Sequence, residues 1–185
     1  MVTFANQEAL QAYRATLGVQ DKKGGKRLIS LCAGSGCGAY GTANVHRALT
    51  GELEKYGLQD KTEVLLTGCH GFCEKGPIMV IHPEGIFYSQ VKEEHVAEIV
   101  EQTLVKGELV QKLIFKDPAS KQKIVKEDEI PFYKRQQRII FANNGLIDPT
   151  NLDHYLAVGG YQALEKALFE MKPAGAGTER AHWVV

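Results

Sequence analysis

Four cysteines are the whole thiol complement of this 185-residue chain, and they fall in two pairs, Cys32-Ala-Gly-Ser-Gly-Cys37 and Cys69-His-Gly-Phe-Cys73. Each pair closes a short glycine-containing loop behind an apolar run, 28–31 in one case and 64–66 in the other. Two pairs of thiolates on strand-end loops can converge on one soft metal centre. Structural zinc favours Cys-x2-Cys turns and a thioredoxin-type dithiol needs the same spacing, whereas this chain has Cys-x4-Cys and Cys-x3-Cys. A Rieske centre replaces two cysteines by histidines on one iron, and His70 is the only histidine adjoining a cysteine. The pattern favours an iron–sulfur site held by Cys32, Cys37, Cys69 and Cys73, with zinc and unligated thiols as the other readings. Cluster loops let backbone N–H groups approach sulfur, a need that Gly34, Gly36, Gly38, Gly68 and Gly71 suit. His70 reads as a loop residue beside the site rather than a ligand. His46 and His95 read as surface or packing residues on helices. Gly34-x-Gly-x-Gly38 superficially matches a nucleotide loop, but its interleaved cysteine and the lack of a following Gly-Lys-Ser/Thr argue against that use.

The elements that must position these loops follow from hydrophobic periodicity. Apolar residues at 9, 10, 13 and 17 predict a packing helix over 5–17, followed by a basic linker at 22–27. A strand from 26 runs into the first cysteine loop. The next helix, capped by Thr42 or Asn44, buries Val45, Ala48, Leu49, Leu53 and Tyr56 and stops at Gly57. Strands are predicted over 62–67 and 78–81. The turn Pro83-Glu-Gly85 then leads to a hairpin partner over 86–91. A helix from Glu93 or Glu94 carries Val96, Ile99, Val100, Thr103 and Leu104 and ends at Gly107. The order is that of an α+β domain over 26–108, a small sheet with helices against it. Residues 109–130 read as an extended connector with short strands such as 113–115. Arg138 to Ala142 reads as a short strand or helical turn. Asp148-Pro149 predicts an N-cap and first helical position, with Leu152, Tyr155 and Leu156 on one face. Tyr161, Leu164, Leu168 and Met171 form the face of a second helix.

Composition narrows the function classes. Lysine plus arginine equals aspartate plus glutamate, 22 each, so there is no general pull toward nucleic acid or membrane. Residues 41–110 carry eleven acids against six bases, and 111–140 eight bases against four acids, which reads as a basic connector beside an acidic module. No apolar run approaches the ~18 residues of a membrane span, and the amino terminus lacks the features of a signal peptide. A cytosolic location is expected, where thiols serve metal or redox work.

The sequence also resembles a known family. Cys32-x4-Cys37, Cys69-His-Gly-Phe-Cys73-Glu-Lys-Gly-Pro77 and the hairpin over 78–91 look like the thioredoxin-like [2Fe-2S] ferredoxin module. Pro131-Phe-Tyr-Lys134, Arg138-Ile-Ile140, Gly145-Leu-Ile-Asp-Pro149 and Gly159-Gly-Tyr-Gln-Ala-Leu164 are similar to the opening of the flavin-carrying NADH dehydrogenase subunit. The two parts occur fused in NAD-linked and electron-bifurcating hydrogenases and related formate dehydrogenases. The resemblance implies a thioredoxin-like ferredoxin fold with a C-terminal helical extension, and a [2Fe-2S] cluster on Cys32, Cys37, Cys69 and Cys73. It also implies one-electron transfer in a multi-subunit NADH-dependent oxidoreductase, with other iron–sulfur and flavin subunits as partners. In that family a glycine-rich loop and an FMN- and NADH-binding domain follow the helix at 161–171, whereas 172–185 offers only Gly175-Ala-Gly177. Residues 131–185 therefore read as the truncated start of a flavoprotein domain, with FMN and NADH expected only in a missing downstream domain or a partner. The rival expectation is a zinc-stabilised or cluster-free docking protein without redox activity.

Overall fold

The computed structural model describes residues 4–18 and 26–172. Most of the expected linker at 22–27 and the tail from 173 onward lie outside the described residues. Two compact units are present, one of residues 26–146 and one joining 4–18 with 147–172. The first helix, α1 (Gln7–Thr16), belongs to the smaller unit and is capped by Asn6, whose side chain accepts from Ala9 N.

The larger unit is built on a four-stranded sheet of β1 (Arg27–Cys32), β2 (Thr62–Thr67), β3 (Met79–His82) and β4 (Ile86–Tyr88), in the order β2-β1-β3-β4. β1 and β2 run parallel, so a crossover must join them, and α2 (Ser35–Ala39) and α3 (Thr42–Lys55) supply it. β3 pairs antiparallel with both β1 and β4. A further helix opens as a 3-10 turn at Glu93–His95, passes through α4 (Val96–Glu98) and continues over Ile99–Lys106.

Alternation along the strands sends their side chains into two layers. Ile29, Leu31, Met79, Ile81 and Tyr88 meet Val45, Leu49 and Leu53 of α3 and Val96, Ile99 and Val100 of the later helix. Leu49 and Ile99 are wholly enclosed, and such burial contributes about 2–3 kcal/mol per side chain. On the opposite face Cys32, Val80 and Phe87 lie under Phe115, Ile130 and Tyr133. This second layer comes from the segment expected as an extended connector, 109–130, and from the first residues after it. It forms the short pair β5 (Phe115–Lys116) and β6 (Lys123–Ile124), and then α5 (Pro131–Lys134). Phe87 N donates to Val125 O and Ser89 N to Leu113 O, so the connector also covers the open edge of β4, where unpaired backbone groups are a liability.

Several expectations are corrected. The compact unit that holds the expected 26–108 domain also takes in residues up to 146, because Ile130 and Tyr133 are buried in its second layer. β4 stops at Tyr88 rather than continuing to Val91. The helix predicted from Glu93 is π-helical over Ile99–Lys106, where the Tyr88 hydroxyl meets Thr103 Oγ1 at 2.7 Å. Neither Thr42 nor Asn44 caps α3; Gly41 precedes it and Thr42 is its first, buried residue. Of the two alternatives for Arg138 to Ala142, strand or helical turn, the turn holds, and turns run on over 140–146.

In the smaller unit, α6 (Leu152–Ala157) is capped by Asn151, which accepts from Asp153 N and His154 N. Asp148, the expected cap, instead accepts from Thr150 N and Thr150 Oγ1, forming a local turn of the kind aspartate favours. α7 (Gln162–Phe169) follows. Arg14 of α1 pairs with Glu165 of α7 at 2.5 Å and donates to Gly160 O, and Tyr13 donates to Asp153 Oδ1. Leu156 is buried, while Leu152, Tyr155, Tyr161, Leu164, Leu168 and Phe169 remain exposed.

Candidate metal centre

The four cysteines meet at one end of the larger sheet. Cys32 ends β1, Cys37 sits on α2, Cys69 follows β2 and Cys73 opens a 3-10 turn, Cys73–Lys75. β1 runs into the first cysteine loop as expected, and the loop itself forms the helical turn α2, which carries Cys37. All four are free thiols; Cys32 and Cys37 are buried, Cys69 is half-buried and Cys73 is exposed. They are disposed as two pairs. Cys69 Sγ and Cys73 Sγ lie 3.5 Å apart, and Cys32 and Cys37 are near enough that each thiol shifts the proton affinity of the other.

The loops cross closely. A Cβ placed on Gly34 would come within 2.8 Å of Cys69 Cβ and 3.0 Å of Cys69 Cα, so only glycine fits there. Gly36 lies against Cys73 Sγ and Gly76 against Cys37 Sγ. Gly71, between the second pair, has φ +81, a conformation that costs an ordinary L-residue about 1–2 kcal/mol, and its N–H donates to Cys69 Sγ at 3.3 Å. Gly68 adjoins the Asn144 side chain, while Gly38 has open space around it. Of the five glycines expected to serve the site, Gly38 alone has no such neighbour.

Electrostatics within the buried pair follow from proximity. The neighbouring Cys37 thiol is the largest influence on the Cys32 thiol, lowering it to about 5 against the opposing effect of burial. The nearness of Cys32, together with burial, pushes the Cys37 thiol up. The two act as one unit that loses its first proton readily and its second with difficulty. Burial also pushes the Cys69 thiol up. Thiolates are the ligating form, so metal loading must displace these protons.

Residues without a sequence signature hold the loops. Thr42 Oγ1 donates to Cys32 O at 3.0 Å and Cys37 O at 2.9 Å, tying together the backbone of the first pair. Phe72 stacks on Phe132 at 4.2 Å and meets Phe115 and Tyr133 edge-on; such pairs each contribute about 0.5–1.5 kcal/mol beyond area burial. His70 is buried, with Nε2 2.9 Å from Thr67 Oγ1 and Nδ1 3.2 Å from Glu127 Oε1. Both ring nitrogens thus face groups other than the thiols. Burial pushes the Glu127 carboxyl up, but the His70 hydrogen bond and the charges of His70, His82 and Arg138 outweigh it and leave Glu127 below its ordinary value. Arg138 Nη2 donates to His70 O at 3.0 Å, and Asn144 Nδ2 to Cys69 O at 2.8 Å. His46 is half-buried on α3, and His95 Nδ1 accepts from Lys92 N.

Thr42→Val keeps the shape and removes the hydroxyl bonding both carbonyls. It is expected to destabilise the metal-free protein by about 1–3 kcal/mol, read as a lower urea midpoint with unchanged slope. An unchanged midpoint would show that this hydroxyl does not hold the loop.

Residues 12–104 match the family described as thioredoxin-like [2Fe-2S] ferredoxin. The chain belongs to this family. The fold is accordingly the α+β thioredoxin-like ferredoxin fold, and the family is one of [2Fe-2S] electron carriers. A 2Fe-2S ferredoxin of Clostridium pasteurianum is 36% identical over 77 residues, which cover 42% of this chain and 76% of that protein. A 2Fe-2S ferredoxin of Aquifex aeolicus (strain VF5) is 38% identical over 79 residues, covering 42% of this chain and 71% of its own length. The crystal structure of a wild-type thioredoxin-like [2Fe-2S] ferredoxin from Aquifex aeolicus is 31% identical, covering 50% of this chain and 98% of that one with a TM-score of 0.46. Among the described residues no helix is long and apolar enough to cross a membrane.

Proposed function

We propose that Cys32, Cys37, Cys69 and Cys73 ligate a [2Fe-2S] cluster, and that this domain passes single electrons within a multi-subunit NADH-dependent oxidoreductase of the hydrogenase or formate dehydrogenase type. The observation that carries the ligand assignment is the disposition of the thiols as two close pairs on touching loops. A two-iron centre takes two thiolates on each iron, whereas a structural zinc ion takes four ligands converging on one point. Among the described residues, no three sulfur, imidazole or carboxylate groups converge on a single ion position. When bound, the cluster accepts and returns one electron at a time. The chain's own residues bury one thiol pair, leave Cys73 at the surface where a partner can approach, and place the Gly71 N–H against Cys69 Sγ, the kind of bond that tunes a cluster's potential.

The oxidoreductase setting is supported by the resemblance of segments in 131–164 to the start of a flavin-carrying subunit. The exposed apolar side chains of α6 and α7 also suit docking on iron–sulfur and flavin subunits. Flavin mediates between two-electron nicotinamide chemistry and one-electron centres, and its protein must supply a dedicated site; in this reading FMN and NADH belong to a partner or downstream domain. Purified protein is expected to be brown-red, to hold about two irons and two sulfides per chain, and to bleach with dithionite but not with NADH. One zinc without sulfide would overturn the ligand assignment, and bleaching by NADH alone would overturn the placement of the flavin site elsewhere.

A further inference from the structure

The backbone of the second cysteine loop is gripped by residues beyond 104, where the family match ends. Asn144 donates to the carbonyl of Cys69 and Arg138 to the carbonyl of the next residue, His70. The second bond has a consequence at sulfur. The His70 carbonyl belongs to the same peptide group as the Gly71 N–H, and that N–H donates to Cys69 Sγ at 3.3 Å. A cation on the carbonyl end of a peptide polarises it and strengthens donation from its N–H end. Arg138 is itself placed from a second side, its guanidinium carbon 5.4 Å from the Tyr133 ring centroid, a cation–π distance. The segment carrying both donors is anchored at Gly145, whose carbonyl accepts from buried Ser30 Oγ on β1 at 3.0 Å. Gly145 also lies against the His70 ring, which a Cβ there would approach to 2.9 Å.

We propose that Arg138 and Asn144 are positioning residues for the Cys69–Cys73 loop, and that Arg138 raises the reduction potential of the cluster through the His70–Gly71 peptide. The inference rests on the reading of the four cysteines as cluster ligands. Reduction adds negative charge to the cluster and its sulfurs, so a donor strengthened toward Cys69 Sγ favours the reduced form. A tuning element thus sits in the extension rather than in the ferredoxin-matched part of the chain. Asn144 fixes the preceding peptide, so that the Gly71 N–H stays aimed at sulfur.

The test uses the full chain, and iron and sulfide content are measured before any potential. A wild-type protein without iron defeats the ligand reading and leaves no potential to tune, an outcome separate from those below. With the cluster in place, Arg138→Met is expected to lower the reduced-to-oxidised ratio at a fixed poise by about tenfold, ~59 mV for one electron. Arg138→Gln, which keeps a donor without the charge, should lie between Arg138→Met and wild type. Arg138→Lys should restore the ratio to within about threefold, ~30 mV by the same constant. Lys134→Met, removing an exposed cation of the same segment, should shift it less than Arg138→Met. Asn144→Ala should alter the visible circular dichroism of the loaded cluster, which reports ligand-loop geometry. Full loading of Arg138→Met at an unchanged potential overturns the proposal, as does a Lys134→Met shift of equal size. If Arg138→Met loses the cluster, Arg138→Gln decides: a potential equal to wild type overturns the proposal and a lowered one supports it.

Discussion

Cys37→Ala and Cys73→Ala proteins are both expected to lose the cluster, yet to differ once iron is absent from wild type as well. Metal binding adds its free energy to folding because the assembled site exists only in the folded chain. Each variant removes one of four ligands, so iron per chain should fall at least about tenfold, no less than the loss that follows removal of a supporting residue. The metal-free forms separate the two. Cys37 is buried beside Cys32, Ile78 and the rest of the second layer, and truncating it removes a buried sulfur, a loss of about 1 kcal/mol. Cys73 is exposed, so metal-free Cys73→Ala should unfold at the same urea concentration as metal-free wild type. Iron content by colorimetric assay and unfolding with and without iron check both halves. Full iron in Cys73→Ala would remove it from the ligand set.

How much of this was legible beforehand depended on whether the signal was local. The buried stripe of α3 was, because Val45, Leu49 and Leu53 repeat at helical spacing and are enclosed as that spacing requires. Tyr56, placed on the same stripe, follows the helix end and is 37% exposed. The strands were legible through branched apolar runs, and the two cysteine loops through their spacing. The cap of α6 was misassigned because Asp148 and Asn151 are both competent capping residues, and the turn closed by Asp148 and Thr150 uses the first of them before the helix begins. Glu127, Arg138 and Asn144 had no local signature at all. Their partners His70 and Cys69 lie 57 to 75 residues away in sequence, and no local pattern ties charged or amide residues to partners so distant. A threonine at a helix start suggests a cap, but the burial of Thr42 turns its hydroxyl to the carbonyls of Cys32 and Cys37.

The glycines show the same limit and support the second large effect, Gly34→Val. On sequence grounds Gly34, Gly36 and Gly38 of the first loop are equivalent. The structure separates Gly34 from Gly38. A side chain on Gly34 points at the backbone and Cβ of Cys69, at 2.8–3.0 Å, where no flexible terminus can swing aside. Valine must therefore push the first cysteine loop off the second. Overpacking of this kind costs about 1–3 kcal/mol, but the larger effect is on the metal site. Displacing one thiol pair from the other leaves two separate dithiol sites in place of one four-thiolate site. Gly34→Val is thus expected to fold with reduced stability and to retain less than about a tenth of wild-type iron, a loss within the range for a residue that supports ligands without being one. Gly38 lies in α2 with nothing near its Cβ direction. Gly38→Ala should therefore keep full iron and gain about 0.4–1 kcal/mol from lowered unfolded-chain entropy. Matched iron contents and urea midpoints for the two variants check the contrast. A fully loaded Gly34→Val protein with an unshifted visible spectrum would mean that the two loops do not need this crossing to hold the cluster between them.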